Sequence, residues 1–158
     1  ANLLLTTAKG EKRLMNYESL ADGGFATGSM MGSGGFIVLD EDQCVVKHTY
    51  TLARFYRHES CGQCSPCREG TGWMEKILWN IENGKGKISD IDLLWDIQRK
   101  IEGNTICPLG DAAAWPVAAA IRHFRDEFEW HVKNPAECLT TNYGLAHYAD
   151  PVHVPVVA

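Results

Sequence analysis

The sequence lacks a long hydrophobic run. No stretch of about 18 apolar residues is present, so no segment is predicted to span a bilayer. An excess of positive charge is also lacking. The formal net charge of −5 at pH 7 gives no electrostatic reason to expect nucleic acid or an anionic membrane as a partner. The N-terminal stretch ANLLLTTAKGEKR places its basic residues after a short apolar run, the reverse of a secretory signal. No initiator Met is present, so we expect a processed product or a piece of a longer chain.

Recognisable catalytic motifs are scarce as well. The six histidines show no zinc-protease spacing, no catalytic triad can be argued, and the carboxylates show no paired pattern. Gly32, Gly34 and Gly35 precede a short apolar run, whereas a dinucleotide fingerprint follows a strand and opens a helix. A tight turn is therefore the favoured interpretation. His58 and Glu59 lie shortly before a group of cysteines, but a role at a helix end explains them at least as well.

The chain has 158 residues, a length typical of about one domain. Its composition and sequence pattern change twice along that length. Residues 1–43 are rich in glycine and include a short β-type run, Phe36 to Asp40, as expected for the end of a small α/β or β-rich domain. Residues 44–133 carry helical periodicity. Residues 134–158 are irregular, and we expect an extended tail that lies over a partner or over the chain's own surface. The predicted fold class is mainly α.

Apolar residues at three- and four-residue steps predict four amphipathic helices in residues 44–133, and their short connections are typical of a compact four-helix bundle. Ser89, with Asp92 three residues later, is the predicted N-cap of the third helix, and Asp111 that of the fourth. Pro116 is expected to kink the fourth helix or to mark its regular start. The predicted core stripes are Val45, Thr49, Leu52 and Tyr56; Met74, Ile77, Leu78 and Ile81; Leu93, Leu94, Ile97 and Ile101; and Val117, Ala120, Ile121, Phe124 and Phe128.

Three of the six cysteines, Cys61, Cys64 and Cys67, fall in the stretch ESCGQCSPCREG between the first two predicted helices. Clustered thiols in a chain long enough to bury a core are more typical of metal ligands in a reducing compartment than of disulfides. Structural zinc sites use separate C-x2-C pairs, whereas C-x2-C-x2-C with a distant C-P is typical of [4Fe–4S] proteins. Cys107, followed by Pro108, supplies that distant cysteine.

The predicted site is therefore one [4Fe–4S] cluster held by four thiolates. Such a cluster has no vacant iron for a substrate, which indicates electron transfer. Cys107 lies in the connection between the third and fourth helices, and alternate connections of a bundle lie at the same end. Ser65, Pro66, Arg68 and Gly70 surround the ligands. Backbone N–H groups and the Arg68 cation are expected to raise the reduction potential there.

Cys44 and Cys138 lie outside both connections. For each of them a small buried side chain or a reduced thiol is the preferred interpretation, and a disulfide between the two stays open. The five tryptophans sit at or beside the predicted core stripes, so packing is preferred to a relay of electrons through their rings.

The stretches RFYRHESCGQCSPCREGTGWMEKIL and IEGNTICPLGDAAAWPVAAAIRHFRDEFE resemble the C-terminal region of the NADH-oxidising flavoprotein subunit of respiratory complex I, known in bacteria as the F subunit. The resemblance covers about residues 20–133. It implies a four-helix domain that binds one [4Fe–4S] cluster through the residues matching Cys61, Cys64, Cys67 and Cys107. It also implies that the preceding segment is the end of a ubiquitin-like β-grasp (SLBB) domain.

The resemblance further implies that the full-length subunit binds NADH and FMN. Electrons would leave FMN, pass through the cluster and continue through neighbouring iron–sulfur subunits toward quinone. The cellular location of the family's members implies a cytoplasmic protein that is peripheral on the inner face of the membrane, or on the matrix side in mitochondria. The segment Pro108–Gly110 would border the flavin.

The glycine-rich NADH and FMN site of this family does not occur in these 158 residues, so this chain alone is not expected to oxidise NADH. Two alternatives stay open. Related flavoprotein subunits of NAD-reducing hydrogenases and NAD-linked formate dehydrogenases share the same cluster domain. A structural zinc-binding interaction module, which carries no electrons, is the alternative from a different class.

Overall fold

A computed structural model describes residues 43–134, the backbone of two short strands near the N-terminus, and the isolated positions Ile37 and Leu39. The chain divides into two compact units, residues 1–38 and 39–158. In the first, strand β1 (Leu4–Thr6) pairs antiparallel with β2 (Lys12–Leu14), with Leu5 opposite Arg13. Ile37 and Leu39 are exposed and lie outside any strand. The rest of the strand expected at Phe36 to Asp40 lies outside the described residues, as do most of the proposed β-grasp segment and the tail, and the domain boundaries stay predictions.

Residues 43–134 fold into four α-helices, which confirms the prediction of a mainly helical structure for this part of the chain. Each helix packs against its two neighbours in the cyclic order α1–α2–α3–α4, and α2 also contacts α4 across the diagonal. This is the arrangement expected of a bundle with short connections. The helices are α1 (Val45–Glu59), α2 (Ser65–Glu82), α3 (Ile88–Ile101) and α4 (Leu109–Lys133).

The core lies between the helices and contains most of the predicted stripes. Two predicted members are wrong: Leu93 and Phe124 are 46% and 49% exposed. On α1 the predicted Thr49 is buried, Val45 and Tyr56 pack partly buried against the core, and Leu52 is half-buried. The residues Val46, Tyr50 and Ala53 are also buried, so the inward face is wider than predicted. The largest fully buried side chains include Phe128, Met74, Leu78, Ile81, Ile91, Leu94 and Ile101.

Three expectations about helix starts are wrong. Helix α3 begins after Lys87, whose N–H donates to Asp90 Oδ2 at 2.9 Å, so the capping pair lies two residues before Ser89 and Asp92. Helix α4 begins at Leu109, upstream of both Asp111 and Pro116. An internal proline is expected to disturb a helix, yet the residue with non-helical backbone angles is Phe124 (φ −133°, ψ 28°). The break in α4 therefore lies two turns beyond Pro116.

The prediction that the tryptophans pack at or beside the core is confirmed only in part. Trp79 and Trp95 are partly buried against the core, whereas Trp73 and Trp115 are exposed. Trp115 directs its indole N–H to Glu102 Oε1 at 2.9 Å.

No helix in the described part of the chain is both long and apolar enough to cross a membrane.

Candidate metal centre

The connection between α1 and α2 is folded by short-range contacts. Gly62 has a positive φ of 80°, a backbone conformation that a side chain disfavours. Arg68 reaches back from α2 and donates from Nη1 to the Gly62 carbonyl oxygen at 2.9 Å. Its Nη2 lies 3.5 Å from Ser65 Oγ. The guanidinium therefore holds a positive charge against the loop that separates Cys61 from Cys64, as the sequence predicts.

Two of the predicted ligands lie at the N-terminus of α2. Cys64 is the N-cap residue, Pro66 occupies the first turn, and Cys67 follows within that turn. Proline is favoured there because its missing N–H would have no partner in a helix anyway. The N-terminal end of a helix carries a partial positive charge, which stabilises thiolates over thiols. The cysteine spacing and the helix start thus place two of the predicted ligand residues at one helix N-terminus.

The second cysteine segment lies at the start of α4. Cys107 directly precedes Pro108, the N-cap residue of α4. The Cys107 carbonyl oxygen accepts a hydrogen bond from Thr105 Oγ1 at 3.0 Å. Asp111, in the first turn of α4, accepts the Gly103 N–H at 2.7 Å through Oδ1. These two bonds fix the connection from both sides and place Cys107 beside a second helix N-terminus.

The two cysteine segments meet in space. Ile106 N–H donates to Cys64 Sγ at 3.4 Å, although the two residues are 42 positions apart in the sequence. Ser60 Oγ lies 3.2 Å from Cys67 Sγ. Sequence reasoning expected N–H donors at the glycines and missed both Ile106 and Ser60. A backbone N–H leaves no signal in the side-chain sequence, so only the fold could identify Ile106.

The four cysteines differ in exposure: Cys67 is buried, Cys64 is intermediate, and Cys61 and Cys107 are exposed. Thiolates bound to one tetrahedral zinc lie ~3.8 Å apart, given Zn–S bonds of ~2.3 Å. Within residues 43–134, no three of these sulfurs lie within 4.8 Å of one another. A donor set of four sulfurs fits iron–sulfur ligation; Cys64 and Cys67 lie at the start of α2, Cys107 directly before α4, and Cys61 in the loop before α2.

His58 and Glu59, close before Cys61, do not contribute to this group. His58 Nδ1 and Glu59 Oε1 lie 2.8 Å apart, and both side chains are exposed at the C-terminal end of α1. His58 thus lies in the last turn of α1, as expected, but its ring contacts a carboxylate and not a last-turn carbonyl.

Replacing Gly110 by alanine should disturb the Cys107 segment. A Cβ atom there would lie 2.6 Å from Thr105 Cγ2 and 2.9 Å from Thr105 Cβ, too close for a short branched side chain to avoid. Because Thr105 holds the Cys107 carbonyl, we expect Gly110→Ala to lower both metal occupancy and the free energy of unfolding, the latter by ~1–3 kcal/mol. Urea unfolding and metal content measure the two effects.

The matched control is Gly72→Ala on α2, where the added Cβ would lie 3.7 Å from Arg57 Nε in ordinary contact. Alanine is favoured over glycine within a helix, so this control should stabilise the protein by ~0.5–1 kcal/mol. Equal effects of the two substitutions would show that Thr105 yields and that the contact does not matter.

A second group of polar side chains lies among the described residues and was not predicted. Cys44 Sγ lies 3.2 Å from His131 Nε2 and 3.9 Å from Glu82 Oε2. Burial lowers the pKa of the His131 imidazole. Burial also raises the pKa of the Glu82 carboxyl, against the opposing effect of Lys47. The expectation of a small buried side chain holds for Cys44, which is 1% exposed; Cys138 lies outside the described residues.

The fold is a four-helix bundle in which the loop before α2 and the loop before α4, each carrying cysteines, meet at one end. The family described as the NADH-ubiquinone oxidoreductase-F iron-sulfur binding region matches residues 47–131, more than half of the chain. The chain belongs to this family, which confirms the resemblance seen in the sequence.

Individual relatives support the same family assignment. The F subunit of the NADH-quinone oxidoreductase of Rickettsia typhi is 49% identical over 120 residues, which cover 76% of this chain and 28% of that protein. The F 1 subunit of the same enzyme in Rhizobium meliloti is 44% identical over 143 residues, 90% of this chain and 32% of that protein. Among solved structures, the crystal structure of an NAD+-reducing [NiFe]-hydrogenase in the H2-reduced state matches with a TM-score of 0.64 and 28% identity, over 80% of this chain and 20% of the hydrogenase chain. The chain thus spans about three tenths of the length of the curated relatives it matches.

Proposed function

We propose that this chain is the cluster-bearing part of a flavoprotein subunit of an NADH:quinone oxidoreductase, and that Cys61, Cys64, Cys67 and Cys107 hold one [4Fe–4S] cluster. The observation that carries the proposal is the hydrogen bond from Ile106 N–H to Cys64 Sγ, because it brings the two cysteine segments together. A [4Fe–4S] cluster, when bound, supplies transfer of one electron at a time.

The chain's own groups are suited to this role. Two helix N-termini and the Arg68 guanidinium place positive charge near the thiolates. The Ile106 N–H donates to one ligand sulfur, and hydrogen bonds of this kind stabilise the more negative reduced state. Four thiolates would also occupy one position on each iron. The site therefore favours electron transfer over chemistry on a substrate.

The exposure of the site supports exchange of electrons with other proteins or domains. Cys61 and Cys107 are exposed, and Ile106 beside them is 87% exposed, which is unusual for a large apolar side chain. We place FMN and NADH on the remainder of the longer subunit and iron–sulfur subunits beyond the cluster. In this proposal the protein lies peripherally on the inner face of the membrane, held there by its partner subunits.

A second candidate is the equivalent subunit of an NAD-reducing hydrogenase. The structural similarity to the hydrogenase favours it, whereas the higher identity to the quinone oxidoreductase subunits favours the first candidate. The native complex distinguishes them. Quinone reduction by NADH without hydrogen-dependent reduction of NAD+ supports the first candidate, and the reverse supports the second.

The isolated chain should be reducible by dithionite and not by NADH. The sequence contains no NADH or FMN fingerprint, and a one-electron centre cannot accept a hydride without a flavin to divide its two electrons. We expect ~4 irons per chain after anaerobic purification, and a low-temperature EPR signal after dithionite, as for a reduced [4Fe–4S] cluster. The same sample mixed with NADH should keep its visible absorption.

Two results would contradict the proposal in different ways. A colourless protein with one zinc and no iron would favour the structural zinc module. Prompt bleaching by NADH would mean that residues 1–158 contain a nucleotide and flavin site of their own.

A further inference from the structure

The second polar group lies at the opposite end of the bundle from the cluster cysteines. Cys44 is the N-cap residue of α1, Glu82 is the last residue of α2, and His131 lies in the last turn of α4. The loops that carry the cluster cysteines join the other ends of these helices. Any ion bound here would therefore be separate from the iron–sulfur site.

We propose that Cys44, Glu127 and His131 form a zinc site, with the Glu82 carboxylate as a fourth group beside it. One ligand atom from each of the first three residues lies within 4.8 Å of the others. Thiolate, imidazole and carboxylate are the ligands that zinc takes in proteins. The proposal does not depend on the function proposed for the cluster cysteines.

The distances are close to those of a bound ion. With Zn–S of ~2.3 Å and Zn–N of ~2.0–2.1 Å, a tetrahedral zinc holds its sulfur and nitrogen ligands ~3.5 Å apart. Cys44 Sγ and His131 Nε2 are 3.2 Å apart, so a shift of a few tenths of an ångström would admit the ion. Glu82 Oε2 lies 3.9 Å from the same sulfur, beside these three residues.

Backbone groups already orient the ligands. Val45 N–H donates to Glu127 Oε1 at 2.8 Å, and a carboxylate has lone pairs left for a metal after one such bond. Lys47 N–H donates to Cys44 Sγ at 3.3 Å. Hydrogen bonds of this kind from outside the ligand set fix ligand orientation in metal sites.

Burial and charge favour a cation at this position. Cys44 and His131 are 1% and 3% exposed, and the Glu82 side chain is 14% exposed. Two carboxylates and a thiol group lie together here, and Lys47 Nζ lies 4.0 Å from Glu82 Oε1. A divalent ion would offset the negative charge and tie together the ends of α1, α2 and α4.

Zinc binding to the complete chain, with its iron–sulfur cluster in place, tests the proposal. After loading with zinc and removal of the excess, we expect about one zinc per chain and undiminished iron. Zinc K-edge absorption should show one sulfur at ~2.3 Å with nitrogen and oxygen ligands at ~2.0–2.2 Å. A shell of sulfur alone would place the zinc on the cluster cysteines and overturn the proposal, and so would the absence of retained zinc.

Variants localise the ion. Cys44→Ala and His131→Gln should each weaken zinc binding by more than ~100-fold, because even partners outside the ligand set are worth 10–100-fold in affinity. His123→Gln, an exposed histidine of the same helix, is the matched control and should bind zinc like the unaltered chain. Equal zinc binding by all three variants would refute the site. Should a buried substitution prevent folding, the ligand shell of the unaltered chain decides alone.

Discussion

The Cys107→Ala variant is expected to contain at least ~10-fold less iron per chain than the unaltered protein. Metal sites lose 10–100-fold in affinity when a mere supporting partner is removed, and Cys107 is proposed as a ligand itself. Because Cys107 is the ligand supplied by the start of α4, the remaining three proposed ligands would leave one corner of a [4Fe–4S] cluster without a protein sulfur. Iron per chain after anaerobic purification is the measurement.

Cys138→Ala is the matched control, because it makes the same chemical change at a cysteine that neither the sequence pattern nor the family resemblance assigns to the cluster. It should keep its iron. Alanine is preferred to serine in both variants because a serine hydroxyl could itself ligate iron. Full iron in Cys107→Ala, or equal loss in both variants, would mean that the fourth ligand has been wrongly assigned.

The cysteine arrangement could be predicted from the sequence because most of it is local. Cys61, Cys64 and Cys67 lie within one loop and the first turn of one helix, so their spacing alone limits how far their sulfurs can separate. The contribution of Cys107 required only that alternate connections of a bundle lie at the same end. The contact between Ile106 and Cys64 shows that they do.

Helix existence was predictable for the same reason, but helix boundaries were not. Ser89 and Asp92 match a capping box in sequence, yet Lys87 and Asp90 make the capping contact in the structure. Both pairs have the same spacing, so spacing alone does not distinguish them. Phe124 fits the apolar stripe of α4, but the break in the helix at that residue leaves it exposed.

The second polar group could not have been found from the sequence. Cys44 and His131 are 87 positions apart, and no motif links them. Their meeting depends on the packing of α1 against α4, which periodicity predicts only as a general contact between two apolar faces. A specific polar contact between distant helix ends needs the three-dimensional arrangement.

The bundle has a core that does not involve the cluster cysteines. Met74, Leu78, Ile91 and Leu94 are fully buried between the helices. Apolar burial of this kind stabilises a fold without metal, so stripping the iron should leave helical structure in place. The proposed cluster would add a link between two loops that are distant in sequence.

That link should make the iron-free protein much less stable. Joining the segments of Cys64 and Cys107 closes a loop of about 40 residues, and the chain-entropy estimate for such a cross-link is ~4 kcal/mol. For a domain of this size each 1 kcal/mol shifts the midpoint by ~4–8 °C, so the melting temperature should fall by at least ~15 °C. Thermal unfolding of anaerobic holo-protein against chelator-stripped protein is the comparison.

The Cys107→Ala variant separates loss of this link from other effects of the chelator. If the cluster ties the two loops together, the untreated variant should already melt near the stripped protein, and chelation should lower its midpoint little further. If adding zinc alone reverses a remaining decrease of the melting midpoint, that decrease came from loss of zinc at the group of Cys44 and His131. Coincident melting of stripped and holo-protein would show that the helical core suffices and that the cluster contributes nothing to folding.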